Sequence, residues 1–348
     1  MGNETAYAIE SLVKIVVVLG VTLGVVAYTV LAERKISAFI QNRLGPNRVG
    51  PWGLLQPLAD GLKFLFKEDV IPGHVNRIVY LIAPAAILVP ALMGFAVVPF
   101  GHTLNVLGRN IQLQVADLDV GVLYILALAS LGVYGIVLAG WASNNKYALL
   151  GGMRAAAQMI SYELALGLSL IGVLMVTGSL RLNDVVLNQA NHTILGFLPR
   201  WNIFTQPVAF VIFTVAVFAE TNRLPFDLAE SEQELVAGYH TEYSSLKFAL
   251  FFMAEYANMM TSAAVIATLF FGGWHVPWIQ LDNPIAMGLL QVVSFALKTG
   301  FFLFVFIWVR WTVPRFRYDQ VMWLGWKMLL PLSLINIAIT GVVMALAQ

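Results

Sequence analysis

The sequence has no cysteine and few charged residues. Without a thiolate, the chain holds no disulfide, no cysteine nucleophile and no cysteine-ligated iron–sulfur cluster. Only 11% of its residues are charged, against about 25% in a soluble domain, and 59% are hydrophobic. The net charge of +1 lacks the basic excess of a nucleic-acid-binding protein. These deficits exclude an ordinary soluble enzyme, a disordered chain and a nucleic-acid partner, and they indicate a polytopic membrane protein.

Two further absences narrow the class. The chain has no G-x-x-x-x-G-K-[ST] motif, which excludes an ATP-driven pump. Its histidines lie outside the centres of the apolar segments, which argues against a haem held between helices as in a cytochrome b. His240, close to Glu242, is interpreted as a satisfied loop histidine rather than a metal ligand, so we expect no metal site.

Long apolar runs dominate the chain. A helical span needs roughly 20 mostly apolar residues. Eight segments meet that requirement: 11–32, 78–100, 119–142, 155–177, 202–220, 248–273, 285–309 and 327–347. Glu33-Arg34-Lys35 follows the first segment, which is therefore not a cleavable signal peptide. The sequence predicts an all-α fold, a single membrane domain over 1–348 with eight transmembrane helices.

The basic residues predict the orientation. Counted by alternate loops, fifteen Lys and Arg lie on one side and four on the other, with Lys298 inside a span. The positive-inside rule places the richer side in the cytoplasm. An even number of spans then places both termini on the periplasmic side.

The cytoplasmic segment 53–68 is amphipathic. Its leucines recur at helical spacing and its charges fall toward the other side: Leu54, Leu55, Leu58, Leu62 and Leu65 against Asp60, Lys63 and Lys67. It is too short and too charged to span a bilayer, so we expect a helix lying in the membrane interface. A surface helix packed on other loops fits the spacing equally well.

Three acids, Glu163, Glu220 and Glu255, lie inside or at the edge of predicted spans. An ionised residue at mid-bilayer costs about 2.5–3.5 kcal/mol on the insertion scale, so such residues are usually functional. At 1.5 Å per helical residue, Glu163 and Glu255 lie roughly 12–14 Å from the cytoplasmic edge and Lys298 roughly 18 Å. We therefore expect Glu163, Glu255 and Lys298 to form a buried polar cluster.

The cytoplasmic loop 221–247 carries a dense acidic run, Asp227, Glu230, Glu232 and Glu234. If the run is helical, Asp227, Glu230 and Glu234 share a face. Crowded carboxylates hold protons to higher pH, so the loop and the three intramembrane acids predict a proton relay. The alternatives are ion pairs that join helices, for the intramembrane acids, and a solvated face or a docking surface for a basic partner, for the loop.

These residues leave two classes open: a secondary transporter with an intramembrane charge cluster, and a membrane component of a larger energy-converting complex. A transporter more often has repeated halves with interrupted helices in matching positions. No such symmetry relates residues 1–174 to 175–348.

Five local strings carry a resemblance to a known family. They are ERKISAFIQNRLGPNRVGPWGLLQPLADGLKFLFKE at 33–68, ISYE at 160–163, AETNRLPFDLAESEQELVAGYHTE at 219–242, FFMAEYA at 251–257 and PRFRYDQ at 314–320. Together they closely resemble the H subunit of the bacterial proton-pumping NADH:quinone oxidoreductase, respiratory complex I, whose mitochondrial counterpart is NADH dehydrogenase subunit 1. Ser231 departs from the family, in which Gly or Ala is more usual at this position.

The resemblance implies a subunit that forms the membrane side and the entrance of a quinone chamber and couples quinone reduction to proton translocation. It implies that Arg34, Lys35, Asp60 and Lys63 lie at the portal. It implies a carboxylate relay through Glu163, Glu220, Glu255, Asp227, Glu230, Glu232 and Glu234. Pairing or docking roles follow for Arg223, Lys298, Arg310, Arg315 and Arg317.

The resemblance also implies a substrate, partners and a location. The substrate is ubiquinone or menaquinone, and the chain itself carries no catalytic residue, flavin, haem or iron–sulfur cluster. The partners are other membrane-arm subunits, the quinone-site and iron–sulfur subunits of the hydrophilic arm, and membrane lipids. A bacterial inner membrane is preferred to the mitochondrial one. The alternatives are a homologous subunit of a membrane-bound hydrogenase or of a ferredoxin- or F420-dependent complex, and a stand-alone proton or sodium transporter.

Overall fold

The structure is a computed structural model that describes residues 2–106, 109–194, 198–279 and 281–347. The side chains of 2–7, 105, 106, 109, 194, 198, 232, 233 and 347 lie outside that description. The helices are α1 Gly2–Ile40, α2 Gln56–Phe66, α3 Arg77–Met93, α4 Gly121–Ala142, α5 Lys146–Thr177, α6 Leu182–Asn191, α7 Asn202–Thr205, α8 Pro207–Glu220, α9 Glu232–Leu235, α10 Ser245–Phe270, α11 Pro284–Thr312, α12 Tyr318–Trp323 and α13 Leu330–Ala347.

Shorter elements connect these helices. Three 3-10 turns occupy Pro51–Gly53, Gly94–Val97 and Gly238–His240, and a π-helical stretch, Leu324–Leu329, joins α12 to α13. Two antiparallel hairpins lie in the loops. In one, β1 (Thr103–Val106) pairs with β2 (Arg109–Gln112), and in the other, β3 (Thr193–Ile194) pairs with β4 (Leu198–Pro199).

Seven helices of the described part are long and apolar enough to cross a membrane. They are Ala8–Ile40, Arg77–Val97, Gly121–Ala142, Lys146–Thr177, Ser245–Phe270, Pro284–Thr312 and Tyr318–Leu346. The predicted class, an all-α polytopic membrane protein, is confirmed. The remaining predicted span, 202–220, contains the apolar α8 of 14 residues. At 1.5 Å per residue α8 is about 21 Å long, less than the roughly 30 Å hydrocarbon core.

Helix ends differ from the predicted ends where charged residues lie within a helix. The first span was predicted to end at residue 32, but α1 continues to Ile40 because Glu33 is paired and buried there. The fourth was predicted to begin at 155, but α5 begins at Lys146, where Asn145 caps it. The Asn145 Oδ1 accepts a hydrogen bond from the Tyr147 backbone N at 2.9 Å, which satisfies one of the first-turn donors.

The core of the bundle lies around α5 and α10. Helix α5 packs against α4, α8 and α13, and α10 packs against α1, α3 and α11. In α10, 67% of the most apolar window is buried, against 22% in α1, so α10 is a central helix and α1 a peripheral one. Close approach of α4 to α5 depends on glycine, because a Cβ on Gly140 would lie 2.6 Å from the Ala148 carbonyl oxygen.

The segment between α8 and α10 folds back against the bundle and is mostly irregular. Only α9 is helical in the acidic run, so the predicted shared helical face of Asp227, Glu230 and Glu234 is wrong. The non-glycine residues Ser231 and Val236, with φ of 41° and 67°, bracket α9 and interrupt any longer helix.

Gly238 fixes this segment to α5. Its φ is 56°, and a Cβ there would overlap the carbonyl oxygen of Ala229. On the α5 side, a Cβ on Gly151 would lie 2.7 Å from the Gly238 Cα. The two glycines therefore permit direct backbone contact between the acidic segment and the bundle.

Replacing Gly238 by Ala should detach this contact, because the added methyl overlaps a backbone carbonyl and the residue must keep a positive φ. We expect a lower melting temperature and faster proteolysis between α8 and α10. Gly167→Ala in α5 is the control, since nothing lies within 4 Å of a Cβ there and alanine favours the helix. Equal melting temperatures for the two variants would contradict this account of the contact.

Candidate functional site

Arg223 lies at the centre of a buried charge cluster and is 2% exposed. It follows the turn at the end of α8. Its Nη1 donates a hydrogen bond of 2.8 Å to Oε2 of Glu33 in α1. Its Nε lies 2.5 Å from Oε1 of Glu255 in α10, as an ion pair. The ring of Tyr256 lies 4.1 Å from the guanidinium carbon, a cation–π contact. One side chain thus joins three segments that are far apart in the sequence.

Glu33 is the residue of this cluster that the sequence did not predict. Its carboxylate accepts hydrogen bonds from three groups: Arg223, the Tyr256 hydroxyl at 2.8 Å and Arg310 Nη1 at 2.7 Å. The available signal was the run that follows it, where Ile36, Phe39 and Ile40 continue helical spacing past the charged residues.

Two acids of the loop face the same cluster. The electrostatic neighbours of Glu230 include Glu255, Asp227, Arg310 and Arg223. Burial first, then the charges of Glu255 and Asp227, raise the pKa of Glu230 well above its ordinary value. Burial raises the pKa of Asp227 to about 6, although Arg315 opposes the shift. Both loop acids therefore retain protons closer to neutral pH than exposed carboxyls do.

The balance of charge explains why protons are retained. The cluster contains four carboxyls and two guanidiniums: Glu33, Asp227, Glu230 and Glu255 with Arg223 and Arg310. Ionising every carboxyl would leave an excess of two negative charges in a site of low dielectric constant. The arrangement can take up or release protons when a charge nearby changes.

Two other predicted relay acids form a separate group. Glu220, the last residue of α8, lines a cavity of about 50 Å³ that Thr221 and Asn258 also line. This volume is sufficient for water. Glu163, in α5, lies within electrostatic range of Glu220 and accepts a hydrogen bond from the Ser130 hydroxyl of α4.

Gln158 bridges the two groups through the turn between them. Its buried amide nitrogen donates to the carbonyl oxygens of Ala219 and Phe226, both at 2.7 Å, and to Oδ1 of Asn222 at 3.2 Å. Residues 219–223 therefore carry Glu220 and Arg223 on one fixed turn. Gln158 was not predicted, because an isolated glutamine in an apolar helix has no pattern that distinguishes a structural amide from a functional one.

The remaining loop acids lie away from the cluster. The Glu234 side chain is 52% exposed and accepts a 2.5 Å hydrogen bond from Arg154. That hydrogen bond lowers the pKa of Glu234. Arg315 contacts the Ser231 hydroxyl and lies 3.8 Å from Glu234. The side chain of Glu232 lies outside the described residues, so its predicted role stays a prediction.

Two predicted basic residues lie elsewhere. Lys298 does not join Glu163 and Glu255: its Nζ donates to the carbonyl oxygens of Gly273 and His275, at 2.8 and 2.7 Å. The expected three-residue cluster is therefore wrong, because depth along a helix does not determine the direction in which a side chain points. Arg317 pairs with Asp319 at 2.8 Å on an exposed surface.

The residues predicted for the portal lie where α1 meets α2. Arg34 donates to Oδ2 of Asp60 at 2.7 Å, and Lys35 donates to the Trp52 carbonyl oxygen at 2.5 Å. Lys63 is exposed in the last turn of α2. Helices α1, α2 and α10 contact one another, so these contacts lie beside the helices that supply Glu33 and Glu255.

Taken together, the fold and the cluster define a multi-pass membrane protein with a buried, proton-holding acid site. The family model for NADH dehydrogenase matches residues 13–341. The second of the two H subunits of NADH-quinone oxidoreductase in Koribacter versatilis is 52% identical, over 99% of this chain and 100% of that protein. The first H subunit of the same enzyme in Geobacter sulfurreducens is 53% identical, over 99% and 98%. The H subunit in Flavobacterium johnsoniae is 51% identical, over 98% and 96%. The chain belongs to the family of NADH-quinone oxidoreductase H subunits.

Replacing Arg223 by Met should destabilise the protein by about 3–5 kcal/mol, because Glu33 and Glu255 then lose a buried partner. Arg317→Met is the matched control, since its ion pair is exposed and worth about 0–1 kcal/mol. Melting temperatures of the two variants in detergent measure the difference. Adding Glu33→Gln to Arg223→Met should recover part of the loss, and equal stability of the single variants would contradict the central role of Arg223.

Replacing Asp227 by Asn should have a pH-dependent effect on stability. The folded pKa of about 6 lies above the ordinary value of 3.8, so wild-type stability declines as pH rises through this interval. Asn carries no ionisation cost. Relative to wild type, the variant should gain on the order of 2 kcal/mol between pH 4 and pH 7.5, measured by thermal unfolding at both values. A difference in stability that is the same at both pH values would contradict an elevated pKa.

Proposed function

We propose that this chain is the H subunit of a proton-translocating NADH:quinone oxidoreductase, and that it forms the membrane side of the quinone chamber. The observation that supports this most is the Arg223 cluster, which holds more buried carboxyls than cations, in a chain of this family. Relatives along its whole length are named as subunits of that enzyme complex.

The chemistry of the substrate gives the cluster a task. Reducing a quinone to a quinol adds two electrons and two protons, and the electrons come from partner subunits. In a low-dielectric chamber the charge of a reduced quinone shifts the energies of nearby carboxyls far more than it would in water. Asp227 and Glu230, whose pKa values are raised, act as the first proton-exchanging groups.

Protonation changes then pass inward by way of Arg223. A change at Glu230 alters the balance among Glu255, Glu33 and Arg223, which share ion pairs. The turn 219–223, held by Gln158, transmits that change to Glu220 and onward to Glu163. In this scheme Glu163, Glu220 and Glu255 are relay acids, and Glu234 is a docking residue that holds the loop to α5 through Arg154.

The substrate enters between α1, α2 and α10. Helix α2 lies in the membrane interface, with Arg34–Asp60 joining it to α1. An amphipathic helix at this place lets a lipid-soluble quinone, ubiquinone or menaquinone, leave the bilayer beside Glu33 and Glu255. The other membrane-arm subunits and the quinone-site and iron–sulfur subunits of the hydrophilic arm complete the chamber.

The membrane topology follows from the same assignment. Helix α8, together with α7, is the eighth crossing of the membrane, shortened because its inner end is buried among the loop residues 221–230. Eight crossings place both termini on the periplasmic side of a bacterial inner membrane, with the acidic loop 221–247 in the cytoplasm. The fifteen basic residues of the cytoplasmic side support this orientation.

Glu220→Gln should leave the complex assembled, because the amide fits the same cavity, and should strongly lower quinone-dependent NADH oxidation and proton transport. Purification in mild detergent with flavin and iron–sulfur partners, followed by an inhibitor-sensitive quinone reductase assay, measures this. Glu234→Gln is the matched control, since its side chain is half exposed and outside the relay. Wild-type proton transport in Glu220→Gln would refute the relay assignment, and an active lone chain in liposomes would refute the subunit assignment.

A further inference from the structure

His240 is a buried histidine that the proposed relay does not use. It ends the 3-10 turn Gly238–His240 and is 7% exposed. Three aromatic rings enclose it, those of Tyr239, Phe248 and Phe252, at 4.9, 5.2 and 6.2 Å between ring centres. Its Nδ1 is buried without a hydrogen-bond partner among the described residues. This differs from the satisfied loop histidine that the sequence predicts, and a buried unpaired nitrogen requires an explanation.

The atom that faces this nitrogen belongs to the acid cluster. Oε1 of Glu230 lies 3.9 Å from Nδ1 of His240. A hydrogen bond needs about 2.7–3.2 Å, so a movement of roughly 1 Å would form one. Burial lowers the pKa of His240 to about 4, which keeps the imidazole neutral near pH 7. A neutral imidazole offers one nitrogen as an acceptor, and an ionised carboxylate has no proton to donate to it.

Glu230 therefore lies between two environments. On one side, Arg223 and Arg310 (from α11) favour its ionised form. On the other side, the apolar enclosure and the unpaired nitrogen of His240 favour its protonated form. Asp227 of the same loop, Glu255 of α10 and Tyr239 of the 3-10 turn complete the charged and titratable groups around it, and the two acids also oppose ionisation.

We propose that His240 is a positioning residue for the proton on Glu230: the neutral imidazole accepts an O–H···Nδ1 hydrogen bond from protonated Glu230, and the bond breaks when Glu230 ionises and turns toward Arg223 and Arg310. No proton passes to the imidazole. The proton leaves the carboxyl only toward the relay, so His240 sets the pH at which Glu230 gives up its proton. This inference rests on the proposed function, because it assigns a proton-donating role to Glu230.

The test uses the intact complex and the infrared carbonyl stretch of Glu230. Glu230→Gln removes that band from the difference spectrum between oxidised and quinol-loaded enzyme and so assigns it. In the wild type we expect the band at the frequency of a hydrogen-bonded carboxylic acid. A wild-type band at the frequency of a carboxyl without a hydrogen bond would overturn the proposal without any variant of His240.

His240→Phe removes the acceptor while retaining an aromatic ring. The Glu230 band should shift to the frequency of a free carboxyl, and proton affinity should fall about tenfold, since a shift of one pKa unit is tenfold in affinity. The alkaline limb of the quinone reductase pH profile should therefore move about one unit lower. His240→Gln supplies an amide acceptor and should restore both readouts toward wild type.

Phe252→Leu is the control for packing, because it loosens the aromatic enclosure and leaves the acceptor in place. It should change neither the band nor the limb. If His240→Phe behaves like Phe252→Leu, His240 is only a packing residue and the proposal is overturned. If Glu230→Gln retains wild-type turnover and proton transport, the role of Glu230 in the relay fails instead, while the band still shows whether His240 accepts its proton.

Discussion

The ion pairs of Arg223 with Glu33 and Glu255 are the interactions on which the cytoplasmic half of the molecule depends. They join the end of α8 to α1 and α10 inside the bundle, where unpaired charges are costly. The acidic segment after Arg223 must then pass directly over the cluster, and the contact between Gly151 and Gly238 fixes it to α5. Asp227 and Glu230 are buried as a consequence, and their burial raises their pKa values.

Much of the fold could be predicted from the sequence, because a bilayer requires long apolar helices and the basic residues mark one side of it. The helix ends were harder. Apolar runs were predicted to stop at Glu33 and to start after Arg154, but both residues lie within helices because partners from other segments pair with them. Helix α8 is the other exception, since hydropathy does not show whether an apolar helix of 14 residues crosses the membrane.

The site was predictable in its composition and less so in its arrangement. An acid inside an apolar segment can be identified by its cost, which led to Glu163, Glu220 and Glu255. Their division into two groups depends on the turn at 219–223, which no periodicity describes. Glu33 was missed because it lies in a run of charged residues that resembles the end of a span. His240 has no sequence signal at all, since its environment is formed by aromatic residues of α10 and by a turn.

The contact between Glu33 and Arg223 has a consequence for biogenesis. The two residues are 190 positions apart in the chain. At about 5–20 residues per second, α1 reaches the membrane roughly 10 to 40 s before its partner is synthesised. During that interval the inner end of α1 carries a carboxyl without its guanidinium, so it must remain in contact with water or bind a proton. Stable insertion of the first helix is therefore completed only when the later helices arrive, and a truncated nascent chain should be a substrate for membrane quality control.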